Sequence, residues 1–338
     1  MAEAIFKGLL GGAFMQNCNE FDGSRSRRSG ALVSNSPPQG ARRGAPGERD
    51  NQTMQKIVGA KWASLFCALL AAAPAVLAQS GQAPREPSSV TGATMWVTTT
   101  QRLKTRVYQG TGLSDHPVLI VVVHGDSPNG PPTYHYRFAE TVAAAIPDVV
   151  AAAILRPGYS DGDDRSDGMR GETTGDNYTP EVVDAVATAL AELKARYNPR
   201  KVVLVGHSGG AAILANLLGR SGAVADAALL VSCPCDLAAW RKHMQQLKGG
   251  SIWERPVRSL SPIALIDGVA PSTGVWMLVG SDDEITPPAL TLAYAEALRS
   301  RGGAVDVTIS PGLPHNILLE PVTIDRLKGV VGANGTGR

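Results

Sequence analysis

The chain has 338 residues, with 32 Lys or Arg against 30 Asp or Glu and a formal net charge of +2. That length holds one large domain or two ordinary ones. So balanced a charge, with no basic stripe interleaved with aromatics, argues against nucleic-acid binding. Aromatic residues are 5% of the chain, so the core must be mostly aliphatic, and nothing suggests a fibrous or collagen-like polymer.

Residues 1–53 carry no apolar period and are rich in Gly, Pro, Ser and scattered Arg. Such a segment cannot bury enough surface to offset its ordering entropy and is expected to be disordered. From Met54 the pattern changes: Lys56 and Lys61 precede an apolar stretch over 63–73, and Val76-Leu77-Ala78 follows. A basic start, an apolar centre too short to span a bilayer and a small-residue cleavage site define a secretory signal peptide over 54–78. Translation is therefore expected to start at Met54, with 1–53 an upstream extension. The mature protein is expected to be secreted or periplasmic, with no stable membrane span once the signal is removed. It retains two cysteines, Cys233 and Cys235. These can close only a small ring or stay reduced, are expected to sit at a strand end as small apolar residues, and cannot complete a tetrahedral metal site by themselves.

A linker over 79–93 leads to the domain expected over 94–332, with a tail at 333–338. MWVTTT and KTRVYQG suggest an antiparallel pair. The run Val118–Val123 reads as a strand buried on both faces. A helix-like segment from Tyr134, the strand VVAAAIL at 149–155, a long polar loop and the amphipathic stretch 180–197 come next. KVVLV at 201–205 and AALLVSC at 227–233 are further buried strands. Residues 237–270 look irregular and are expected to form at most a small lid. VWMLVG at 275–280, a helix at 288–299, VDVTIS at 305–310 and a helix over about 319–330 complete the chain. Strands alternating with helices argue for a mostly parallel sheet covered on both faces.

Two Gly-x-Ser-x-Gly pentapeptides occur, around Ser160 and Ser208. A serine hydroxyl is a poor nucleophile until it has a base, an orienting carboxylate and donors for the developing oxyanion. The turn that exposes it is sharp, so glycine is favoured two residues to either side. Ser208 follows a buried strand and precedes an apolar helical segment, whereas Ser160 leads into a polar loop. Ser208 is therefore the candidate nucleophile. The turn has Ser208 where a dinucleotide fingerprint needs its second glycine, and no Gly-Lys-Ser/Thr occurs for a phosphate loop. Two histidines follow Ser208. His243 lies on what looks like a solvated helix face, and His315 lies just after a strand, which makes it the candidate base. Asp283 is favoured as the acid by its spacing from Gly280; Asp282, Glu284 and Asp236 are the alternatives. The oxyanion donors are expected to be the N–H of Gly209 and one N–H from the loop His124-Gly125-Asp126, that of Asp126 or Gly125. Arg156, Tyr159 and Arg170, near the long loop, are candidate substrate-binding residues.

Together VVVHGD, LRPGYSDGD, VVLVGHSGGAA, LVGSDDEITP and GLPHNIL, in that order, resemble the α/β-hydrolase superfamily, over about residues 94–332. The resemblance implies an α/β fold with an eight-stranded, mostly parallel sheet. It implies Ser208, Asp283 and His315 as a catalytic triad, and no cofactor or metal. It makes Arg-Pro-Gly-Tyr, which overlaps the Ser160 pentapeptide, a shared structural loop. The expected activity is cleavage of an acyl bond in a small-molecule ester or a short peptide. A C–C bond hydrolase or lactonase would use the same residues, and a non-catalytic binding protein on the same fold is the rival reading. Asp126 departs from the esterase pattern, which often has a run of glycines there.

Overall fold

The computed structural model describes residues 90–98, 101–128, 130–171 and 177–333. The expected extension at 1–53, signal peptide at 54–78, most of the linker and all but the first residue of the tail lie outside these residues.

Eight strands form one sheet in the order β1-β2-β4-β3-β5-β6-β7-β8. Strands β1 (Ala93–Thr98) and β2 (Arg102–Gln109) pair antiparallel, with Met95 opposite Thr105, and β2 pairs antiparallel with β4 (Val149–Ile154). All other neighbours are parallel: β3 (Val118–Val123) lies between β4 and β5 (Lys201–His207), and β6 (Ala227–Val231), β7 (Gly274–Gly280) and β8 (Val305–Ser310) follow. The continuous apolar run of β3 has a simple cause. Leu119, Val121 and Val123 enter the core on one face, and Val118, Ile120 and Val122 enter the core on the other.

On the first face pack α2 (Pro180–Tyr197), α3 (Gly209–Ser221), α4 (Leu237–Lys248) and α5 (Pro288–Arg299); α1 (Tyr134–Ala145) and α6 (Pro321–Gly332) cover the second. Helix α4 corrects the irregular 237–270 expected from sequence. Leu237, Trp240, Arg241 and Met244 are buried, a spacing of three and four that faces one side of a helix, and the Asp236 carboxylate accepts the Ala239 N–H at its start. The remainder, with short 3-10 turns at Ser251–Trp253 and Pro262–Gly268, lies alongside. None of the described helices is long and apolar enough to cross a membrane.

The chain leaves β3 to one side toward β4, then returns to the other side as β5. Such a reversal opens a crevice at the carboxyl ends of β3 and β5, where α/β sheets bind ligands. The loops after β3, β5, β6, β7 and β8 all end there.

Candidate active site

Ser208 sits between β5 and α3 with φ 52° and ψ −122°, a strained conformation for a residue with a side chain, costing on the order of 1–3 kcal/mol. The flanking glycines are required by contact. A β-carbon on Gly206 would come 2.5 Å from the Ala211 Cα, and one on Gly210 would come 2.2 Å from the Val123 carbonyl oxygen. The Ser208 N–H is held by the Val231 carbonyl at 2.8 Å. Although Ser208 caps α3, its hydroxyl makes no capping bond and is turned to the His315 Nε2, 3.0 Å away.

His315 lies in the loop after β8. Its Nδ1 is 3.0 Å from both oxygens of Asp283, in the loop after β7. Burial by itself would raise the Asp283 carboxyl. The hydrogen bonds from His315, the Thr286 N–H (2.8 Å) and the Thr286 hydroxyl (2.7 Å) outweigh it and hold the group below the usual carboxylate range. The alternatives are engaged elsewhere. Asp236 caps α4, Asp282 accepts the Ser281 hydroxyl, and Glu284 is exposed, with only its backbone carbonyl bonding the His243 ring. Ser160 forms a small bridge with Arg165, and its hydroxyl donates to the Asp164 carbonyl.

Of the oxyanion candidates, the N–H groups of Gly209 and Asp126 make no hydrogen bond among the described residues. Gly125 does, and this corrects its candidacy: its N–H donates to the Tyr134 hydroxyl at 2.6 Å. Gly125 instead supplies proximity, since a β-carbon there would lie 2.9 Å from the Ser208 Cβ. Its carbonyl accepts from His124 Nδ1 at 2.7 Å, while His124 Nε2 accepts the Arg156 N–H at 3.0 Å. In a trans peptide the C=O and the next N–H point in opposite directions, so pinning the Gly125 carbonyl inward turns the Asp126 N–H outward. Burial pushes the His124 pKa well below 6.5, which keeps the imidazole in the neutral form this arrangement needs.

Two of the substrate-binding candidates are also corrected. Arg156 is fully buried, and its guanidinium bonds the Asp126 carboxylate at 2.9 Å between the rings of Tyr159 and Tyr178. Tyr159 is 3% exposed and its hydroxyl approaches Asp126 at 3.5 Å. Both support the site from behind. Arg170 is exposed, stacks on Tyr159 and borders a separate cavity of about 490 Å³ with Arg258 and Asn177.

Sequence reading passed over Tyr134, His207, Tyr178, Ser232 and Thr286. Tyr178 donates to Asp126 at 2.6 Å, and Ser232 donates to the His315 carbonyl at 3.0 Å. His207 was in view as the second residue of the pentapeptide, but nothing in its spacing says what its ring meets. Cys233 and Cys235, expected as apolar strand-end residues, are buried there and joined by a disulfide. A cavity of about 440 Å³ is bounded by Asp126, Tyr134, His207, Asn316, Leu318 and Leu319, and it meets the elbow through His207, the residue before Ser208. Among the described residues, no group of three or more His, Cys, Asp or Glu could hold a metal ion.

A mostly parallel eight-stranded sheet with a strained serine after β5 is an α/β architecture of the kind hydrolases use. The chain belongs to the alpha/beta hydrolase family, whose model matches residues 120–301. No curated protein sequence matches it. Among solved structures it is similar to Pyrococcus horikoshii acylaminoacyl peptidase at 13% identity and TM-score 0.56, over 73% of this chain and 41% of that one. The chain thus spans about two fifths of that peptidase's length. It is also similar to Est1E from Butyrivibrio proteoclasticus with ferulic acid bound, at 14% identity and TM-score 0.55, over 70% and 99% of the two chains. A Pyrococcus furiosus esterase matches at 14% identity and TM-score 0.54, over 77% and 94%. At these identities the likeness is one of fold.

Proposed function

We propose that the chain is a serine hydrolase that cleaves uncharged carboxylic esters through an acyl-enzyme. The observation that carries this reading is the double engagement of one ring: His315 Nε2 lies 3.0 Å from the Ser208 hydroxyl while Nδ1 lies 3.0 Å from each Asp283 oxygen. Asp283 fixes the tautomer with its proton on Nδ1, leaving Nε2 free to accept. His315 takes the hydroxyl proton as Ser208 attacks the acyl carbonyl, and the N–H groups of Gly209 and Asp126 receive the negative charge that develops on the carbonyl oxygen. The imidazolium then gives its proton to the departing alcohol, leaving the acyl group on Ser208. Water activated by the same imidazole releases the acid.

The 440 Å³ cavity favours esters over peptides. Leu318, Leu319 and the Tyr134 ring give it apolar walls, and among the described residues no Lys or Arg lines it. The one charged side chain among them, Asp126, is already bonded by Arg156 and Tyr178, so it is poorly placed to capture a peptide's free amine. Two of the similar structures, Est1E with ferulic acid bound and the P. furiosus esterase, accord with this choice. We further propose export through the signal peptide at 54–78. The buried Cys233–Cys235 disulfide suits an oxidising compartment.

The test is labelling with an organophosphonate probe. Wild-type protein should be labelled at Ser208 and Ser208→Ala should not. An unlabelled wild type would support the binding-protein reading, and label persisting on the alanine variant would place the nucleophile elsewhere.

A further inference from the structure

We propose that His207 and Tyr134 are positioning residues that tie the loop carrying the Asp126 N–H and the loop carrying His315 to the nucleophile elbow. The inference rests on the serine-hydrolase reading and goes beyond its triad. His207 belongs to the elbow itself, one residue before Ser208, and is 4% exposed. A residue that only filled space there could be aliphatic, yet both its ring nitrogens are used. Nε2 faces the His315 carbonyl at 3.1 Å and Nδ1 faces the Tyr134 hydroxyl at 2.8 Å. A carbonyl only accepts, so Nε2 carries the proton and Nδ1 accepts from the Tyr134 O–H. The Tyr134 oxygen in turn accepts the Gly125 N–H at 2.6 Å. The result is one directed chain: Gly125 N–H to Tyr134 O–H to His207 Nδ1, then His207 Nε2–H to the His315 C=O.

Two consequences bear on the reaction. Tyr134 consumes the Gly125 N–H, so of the two candidate donors Asp126 is the one left free, and its loop is tied to the elbow by two hydrogen bonds. The His315 carbonyl receives three donors: His207 Nε2–H, the Ser232 hydroxyl and, from its own loop, the Ile317 N–H. The main chain is therefore held where the imidazole spans Ser208 and Asp283, instead of depending on the side-chain contacts alone. Burial, opposed only in part by neighbouring groups, lowers the His207 pKa to about 4, and the neutral ring agrees with the bonding pattern.

The experiment compares wild type with Tyr134→Phe, His207→Leu and His207→Gln on a p-nitrophenyl ester, counting competent sites by phosphonate titration. Since a misplacement of about 1 Å can cost on the order of 100-fold, Tyr134→Phe and His207→Leu should lower kcat per titrated site roughly 10- to 100-fold with KM within about threefold. His207→Gln keeps an N–H for the His315 carbonyl and should recover a large part of the loss. A purely structural role would lower the titrated fraction and leave kcat per site unchanged, which would overturn the proposal. So would unchanged kcat in Tyr134→Phe, or His207→Gln performing no better than His207→Leu. The Ser208 labelling in the same preparations keeps the two ideas apart: label that requires Ser208, with unaltered kcat per site in the variants, sinks the positioning device and leaves the serine hydrolase standing.

Discussion

His135 provides the sharpest test of how this core is built. It is the second residue of α1 and is fully buried, against the rings of Tyr136 at 4.1 Å and His124 at 4.7 Å. Among the described residues neither ring nitrogen has a hydrogen-bond partner within normal geometry, although the Ile154 carbonyl lies near enough to bear on its titration. Burial, aided by the Arg106 charge and opposed by Asp161, lowers its pKa to about 3. His135→Phe keeps an aromatic ring in an aromatic setting and removes the two unpaired nitrogens, which should stabilise the protein by about 1–3 kcal/mol at pH 7. The gap must then widen on acidification. With the folded pKa depressed, the unfolded chain binds the extra proton below its ordinary value near 6.5, so wild-type stability falls with pH by about 1.4 kcal/mol per unit until the folded value is reached. At pH 5 the gap should have grown by about 2 kcal/mol. His207 titrates in both proteins and cancels. The Asp283 carboxyl titrates in a lower window, because a depressed carboxylate stabilises above its unfolded value and loses that only as pH falls through the folded one. Urea unfolding of both proteins at pH 7, 6 and 5 measures the gap. A constant gap, or a variant less stable than wild type, would refute the assignment of His135 as a buried neutral imidazole.

Four other substitutions test the site and its surroundings. Ser208→Gly should abolish activity while raising stability by about 1 kcal/mol, since glycine accepts the positive φ without strain; the melting temperature reads this. Asp283→Asn should lower kcat on the order of 10³- to 10⁴-fold, because an amide can donate to Nδ1 and select the wrong tautomer; steady-state kinetics with circular dichroism to verify folding checks it. Arg156→Met should destabilise by about 3–5 kcal/mol by leaving the largely buried Asp126 carboxylate without its cation. Arg170→Ala, at an exposed residue, should leave the unfolding free energy within about 0.5 kcal/mol of wild type.

The sheet was legible because its strands are buried on both faces, and burial of that kind writes itself as an uninterrupted apolar run, as in β3. The elbow was legible because close backbone contact permits only glycine at 206 and 210. What failed was reading a residue's use from its type. Arg156 and Tyr159 looked like groups for a substrate because they flank a polar loop, yet they face inward to Asp126, a partner 30 or more positions earlier in the chain. Gly125 looked like a donor, but its N–H is taken by a tyrosine hydroxyl nine residues on. The apolar stripe of α4 was present at 237, 240, 241 and 244, but the arginine in the stripe hid it. The Arg241 guanidinium donates to the carbonyls of Ile252 and Arg255, contacts that no local pattern announces.

Asp126 brings these threads to one physical question. In the proposed reaction a negative charge forms beside the N–H groups of Gly209 and Asp126, and an anionic side chain is a poor neighbour for it. Yet a β-carbon on Gly209 would lie 2.8 Å from the Asp126 carboxylate oxygen, so the carboxylate stands against that very peptide. The arrangement is tolerable because the charge is compensated where it stands. The fully buried Arg156 donates to one oxygen and Tyr178 to the other, and buried charges persist when paired and hydrogen-bonded in this way. With the carboxylate neutralised from behind, its remaining effect is mechanical. It anchors the side chain of the residue whose N–H turns outward, while His124 anchors the preceding carbonyl. A loop that lacks the glycine run common among esterases can thus keep a rigid donor, provided an arginine lies beneath it. That is why Arg156 has no exposed surface despite its place at the edge of the crevice.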